Sequence, residues 1–221
     1  MPIEQLRSLQ RHQRILEAAE RVFARRGYHH TAVDDIAAEA DTSKGGIYFH
    51  FPTKQAIFLA LLDKLAAMLR TRTEAAVASQ DPPVARAEAA LRVVLDTFAE
   101  HRHLARLFLV ESLGAGPEFS ARMAEIRLAC AELIRRQLDE AVASGAIAPI
   151  DTATAAAAWF GAVNEVVTQW ALAESPGRLE DAYPTIRLLL LRGIGVSSAS
   201  SASSASSASS ASSAAQCKML A

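Results

Sequence analysis

Apolar residues in this 221-residue chain recur at helical spacing almost everywhere, and nowhere of any length do they alternate residue by residue. A 3.6-residue period stacks every third or fourth side chain on one helix face, whereas a half-buried strand needs a period of two. The chain is therefore expected to be all-α. Ile15, Ala19, Val22 and Phe23 mark one stripe of a first helix from about Leu9 to Arg26, with Gly27 at the position where a helix end favours glycine. Thr31 reads as the N-cap of a short second helix reaching about Ala40, with Asp34 as a capping-box-like partner. After an Asp41-Thr42 turn, Ser43 caps a third short helix to about Phe49. Pro52-Thr53 interrupts the chain before a fourth helix, 54–72. Its broad apolar face comprises Ile57, Phe58, Leu61, Leu62, Leu65, Met68 and Leu69. Further helices are expected near 84–100, 103–113, 118–143, 152–174 and 179–194, punctuated by Pro and Gly.

The formal net charge of −1, from 23 Lys+Arg and 24 Asp+Glu, excludes a polycation that binds by bulk charge. It leaves room for a local basic patch. Two cysteines, Cys130 and Cys217, make neither a disulfide framework nor a metal-ligand spacing. No apolar run has the length of a membrane span, and charges at the N-terminus precede no apolar segment of a signal peptide. A cytoplasmic location with no membrane partner is expected. From Ser197 the Ser-Ser-Ala repeats lack large apolar residues that offset ordering entropy, so 197–221 is expected to be a disordered tail.

Two short helices joined by a tight turn after a longer helix form a helix-turn-helix candidate. Its second helix, Ser43-Lys44-Gly45-Gly46-Ile47-Tyr48-Phe49, holds two adjacent glycines, each unfavourable in a helix by about 1 kcal/mol relative to alanine. A helix whose backbone must approach a DNA groove closely gives a reason for them. Lys44, Tyr48, His50 and Lys54 can donate to phosphates, and Lys44 also to a guanine edge. Ile47, Phe49 and Phe51 read as the inward face. Arg7, Arg11 and Arg14 either add phosphate contacts or form a solvated face.

At these residues, from about Arg14 to Leu62, the chain resembles the tetracycline-repressor (TetR/AcrR) family of transcriptional regulators. Phe23 and Gly27 match its Phe-x-x-x-Gly. Thr31, Ile36 and Ala37 match its Thr-x-x-x-Ile-Ala with one extra residue. Ser43, Gly45, Ile47, Tyr48, His50, Phe51 and Lys54 match its recognition helix and exit. Asp41 stands where the family usually has a turn glycine, and Asp tolerates left-handed geometry better than most residues. The resemblance implies a homodimer that binds near-palindromic operator DNA through residues 1–54, and a small effector through a bundle over 55–196. It implies DNA contacts at Lys44, Gly45, Gly46, Tyr48, His50 and Lys54, with Thr31, Thr42 and Ser43 beside the DNA.

In the bundle, the alanine-rich helix 152–174 carries Trp159 and Trp170 on nearly one face, and the last helix is apolar over most of its circumference. This pair looks like the family's dimer interface, with Leu188 and Leu191 contributing. The segment from Phe160 to Ile194 also resembles the C-terminal domain of the family's fatty-acid regulators. That implies a lipophilic effector, a long-chain acyl-coenzyme A among the candidates. Arg102, His103, Arg106, Phe108 and Glu111 are candidate pocket residues on one helix, Phe160, Asn164 and Gln169 on another.

The lone Glu100-x-x-His103 lacks the second such motif of a di-metal bundle, so no metal or cofactor is expected. Cys130 falls in step with core positions and reads as a core thiol. No nucleophile–base pairing or phosphate loop points to an enzyme. The alternative function is a lipid- or small-molecule-binding helical bundle without DNA activity.

Overall fold

The computed structural model describes residues 3–111 and 116–195. The tail from 197 and Cys217 lie outside the described residues. Within them the protein is all-helical: α1 (Ile3–Arg26), α2 (Val33–Glu39), α3 (Lys44–His50), α4 (Lys54–Ala78), α5 (Pro83–Glu100), α6 (Arg102–Arg106), α7 (Pro117–Ala143), α8 (Thr152–Leu172) and α9 (Tyr183–Gly193). A π-helical turn, Leu107–Glu111, continues α6, and a 3₁₀ turn, Leu179–Ala182, leads into α9.

Local chemistry explains most boundaries. Gly27 ends α1 with φ +74°, and Asp41 turns the chain between α2 and α3 at φ +49°. Ser43 Oγ accepts the Gly46 N–H at the start of α3, and Thr53 Oγ1 accepts the Ala56 N–H at the start of α4. The Asp151 carboxylate accepts two N–H groups at the start of α8. Two expectations shift. The first helix begins at Ile3, two turns earlier than Leu9. The N-cap of α2 is Ala32, whose N–H donates to the Asp35 carboxylate, while the Thr31 hydroxyl is spent on the Gly27 carbonyl. Thr31 is thereby buried and lost as a cap.

The main core joins the N-terminal helices to the bundle. Phe23 and Tyr28 from the first helix and its loop, Phe58 from α4, Phe108 from the π-turn and Phe119 from α7 form one aromatic cluster. Phe58 lies 5.1–5.2 Å, ring to ring, from Phe108 and Phe119, and 4.4 Å from Tyr28. The core thus runs across the 54/55 division expected from sequence. Two smaller cores follow. Leu91, Leu95, Ala105, Val167, Ala171, Leu179 and Ile186 tie α5, α6, α8 and α9 together. Leu138, Ala141, Ile147, Ala156 and Ile194 close the far end. Cys130 is only partly buried, and burial pushes its thiol pKa up. No helix among the described residues is long and apolar enough to cross a membrane.

Candidate nucleic-acid interface

Helix α3 is short because Gly45 and Gly46 weaken it and the extended Phe51 ends it. Ile47 is fully buried and anchors it to the core. The outward face then carries Lys44, Gly45, Tyr48 and Phe49. These fall at i, i+1, i+4 and i+5, one side of a helix. Phe49 is 79% exposed, so its expected inward role is overturned. Residues 47 and 49 are two apart, which in a helix sets their side chains on nearly opposite sides. Phe51 does point inward, because it has already left the helix.

The two glycines do different work. A Cβ on Gly45 would meet only Ser43 Oγ at 3.8 Å, so that backbone is open to an approaching surface. A Cβ on Gly46 would sit 2.5 Å from Thr42 Oγ1, so Gly46 lets the turn pack against the helix.

Charge is arranged with similar economy. Lys44 Nζ donates to the Asp34 carboxylate at 2.8 Å, across α2 and α3. Glu39 takes both Arg21 and Arg25, and Asp35 takes Arg26. Those partners hold the Asp35 and Glu39 carboxyls below their ordinary range; for Asp35 the Ala32 N–H contributes most, for Glu39 the Arg21 hydrogen bond. The acids of α2 therefore do not stand as a bare negative patch beside α3.

The nine residues singled out for DNA separate into two sets. Ser43, Lys44, Gly45 and Tyr48 are exposed. Thr31, Thr42, Gly46, His50 and Lys54 shape the unit from within. Lys54 Nζ donates to the Tyr28 and Thr31 carbonyls and lies 4.5 Å from the Tyr28 ring centroid, pinning α4 to the loop before α2. Burial lowers its pKa. His50 packs edge-on to His12 and has a buried Nε2 without a partner. Burial first, then His12 and Arg11, hold its pKa below the usual histidine value.

The effector candidates on α6 turn to three different neighbours. Arg102 donates to the Trp170, Ala171 and Ala173 carbonyls at the end of α8 and lies over the Trp170 ring. His103 Nε2 meets Glu20 of α1 at 2.8 Å, with Lys64 of α4 on the other carboxylate oxygen at 3.8 Å. Phe108 is buried in the aromatic cluster. Arg106 is exposed, and the Glu111 side chain lies outside the described residues. On α8, Phe160 and Asn164 are half-buried, and exposed Gln169 donates to Glu165. Glu100 is paired with Arg72.

Among the dimer candidates, Trp159 packs on the far core and Trp170 donates its indole N–H to the Gly177 carbonyl. Leu191 is buried within its own chain. Leu188 is 43% exposed, and its unpredicted neighbour Leu189 is 68% exposed. On α8, Ala157, Ala158, Gly161 and Ala162 are exposed as well.

Residues 15–61 match the model for bacterial regulatory proteins of the tetR family, and residues 80–174 match a tetracyclin repressor-like C-terminal domain. The HTH-type transcriptional regulator EthR of Mycolicibacterium smegmatis is 31% identical over 169 residues, covering 74% of this chain and 76% of that protein. The HTH-type transcriptional regulator TtgR of Pseudomonas putida is 34% identical, covering 72% and 79%. The transcriptional regulator FadR of Bacillus subtilis, solved in complex with stearoyl-CoA, superposes with a TM-score of 0.75 at 26% identity, covering 82% of this chain and 98% of that one.

Proposed function

The chain belongs to the tetR family of bacterial regulatory proteins, and from that premise we propose that it represses transcription as a homodimer on palindromic operator DNA. The observation that carries this reading is the outward face of α3. Lys44 and Tyr48 supply donors to phosphates and base edges, Gly45 admits the backbone, and Phe49 offers a ring to a thymine methyl. Ser43 and the other residues named for DNA hold this face in register or meet phosphates at its margin. Lys44 exchanges Asp34 for the duplex on binding.

Dimerisation through α8 and α9 sets the two recognition helices about one DNA turn apart, roughly 34–36 Å. The uncovered Leu188 and Leu189 support that face.

The effector is a lipophilic molecule, with a long-chain acyl-CoA the first to try, given the acyl-CoA in the similar regulator. It enters the bundle beside α6 and α8, where Arg102, His103, Arg106, Phe108, Glu111, Phe160, Asn164 and Gln169 are the candidate contacts. The π-turn after α6 departs from regular helix geometry in the way that functional segments often do. Movement there reaches α1 through His103–Glu20 and α4 through Phe108–Phe58, and so alters the spacing of the recognition helices. A preference of a few kcal/mol for the released state is enough to control occupancy.

The test starts with selection of a duplex from a random-sequence library by the full chain. A specific, salt-dependent complex is expected, weakened at least tenfold by Lys44→Ala with Tyr48→Ala while the dimer persists. Stearoyl-CoA is expected to release it. Failure to select any sequence would leave the lipid-binding bundle without DNA function; release by no acyl-CoA would remove only the effector assignment.

A further inference from the structure

Helix α1 starts at Ile3, whereas the match to the family's DNA-binding model starts at residue 15. Twelve helical residues therefore precede the shared unit, about 18 Å of helix at 1.5 Å per residue. Arg7, Gln10, Arg11 and Arg14 are all exposed on this extension. Positions i, i+3, i+4 and i+7 make a single row.

The row differs in charge from everything around it. Arg21, Arg25, Arg26 and Lys44 are all ion-paired with the three carboxylates of α2, and Lys54 donates to backbone carbonyls. Among the described residues, Arg7 and Arg11 have no hydrogen-bond or ion-pair partner, and Arg14 reaches only the Asp41 carbonyl at 3.4 Å. Arginines without an acidic partner are thus gathered on the extension. The row is also continuous with α3. Arg14 touches the turn that leads into it, and His12 lies 4.5 Å, ring to ring, from Phe51 at its end.

We propose that Arg7, Arg11 and Arg14 bind the phosphate backbone outside the half-site read by α3, lengthening the footprint of each protomer. This rests on the DNA-binding reading above. The row runs about 10 Å along the helix, the axial distance covered by about three phosphates of one strand. Guanidinium groups suit that partner, since each presents a planar fork of donors to phosphate oxygens. Glu4 is the one acid of the extension, which leaves the row a net cation.

The triple variant Arg7→Gln/Arg11→Gln/Arg14→Gln tests this on the duplex selected by the native chain, with and without the base pairs flanking the half-sites. The substitutions are on an exposed face, and circular dichroism checks that the helix is kept. Each lost phosphate contact lowers the slope of log K against log salt by about 0.9, so the dimer should lose up to about 5. Trimming the flanks should weaken the native protein at least tenfold and leave the variant unchanged. The variant keeps the native sequence preference, which Lys44→Ala with Tyr48→Ala does not. An unchanged slope and equal sensitivity to trimming overturn the proposal while leaving DNA binding intact. A native chain that selects no duplex overturns both.

Discussion

Around Phe58, rings from α1, α4, the π-turn and α7 close on one another and leave almost nothing uncovered. At Leu189, two-thirds of a leucine faces outward, and the adjacent Leu188 is exposed too. The first region is complete within one chain; the second, on the reading proposed here, is completed by another copy. The contrast teaches where specificity of sequence is needed. A closed core beside a recognition helix tolerates few residue types at each position, because packing and exposure are both fixed. A helix face that meets its own symmetry mate asks only for small or apolar residues in self-complementary places.

The largest expected effect that sharpens this contrast is Phe58→Ala. Removing a fully buried ring from a closed cluster should cost about 3–5 kcal/mol in chemical denaturation. Leu189→Ala, tested at a low concentration where the dimer has dissociated, should cost less than about 0.5 kcal/mol. Equal losses would mean that α9 is packed within its own chain. Next comes Gly46→Ala, whose Cβ must displace Thr42; about 1–3 kcal/mol of destabilisation is expected in a thermal melt. Gly45→Ala should leave stability near or above native and weaken DNA binding instead. A reversed pair of results would exchange the roles of the two glycines. The smallest effect is acid sensitivity through His50. Its native pKa lies below the unfolded value, so the unfolded chain takes up the proton first. Its contribution is fully present well above the ordinary histidine pKa near 6.5 and declines as pH falls below it. His50→Gln should flatten that decline in melts taken between pH 7.5 and 5.5; an identical decline would place the sensitive group elsewhere.

The helical class and the helix-turn-helix were legible because periodicity and capping are local signals. Ser43, Gly27 and Asp41 each do what their chemistry indicates. Phe49 misled because its hydrophobicity was read in step with Ile47 and Phe51, a period that a helix cannot use to share one face. The bonds by which Lys54 pins α4 were not legible, because its partners are backbone carbonyls, which every residue carries and no pattern advertises. Arg102 escaped for the same reason, at the end of α8. At the dimer candidates the apolar run Leu188–Leu191 has no polar residue to mark a boundary, so the buried Leu191 and the exposed Leu189 could not be told apart.

The ring cluster has a bearing on how such a regulator can be rebuilt or inherited. Phe23 and Tyr28 come from the DNA-reading side, Phe108 and Phe119 from the bundle, and Phe58 joins them. The reading head is therefore not a cartridge that detaches at residue 54. Grafting it onto a foreign bundle means transplanting the sockets for Phe58 as well, and lineages that exchange effector domains must pass those rings on together.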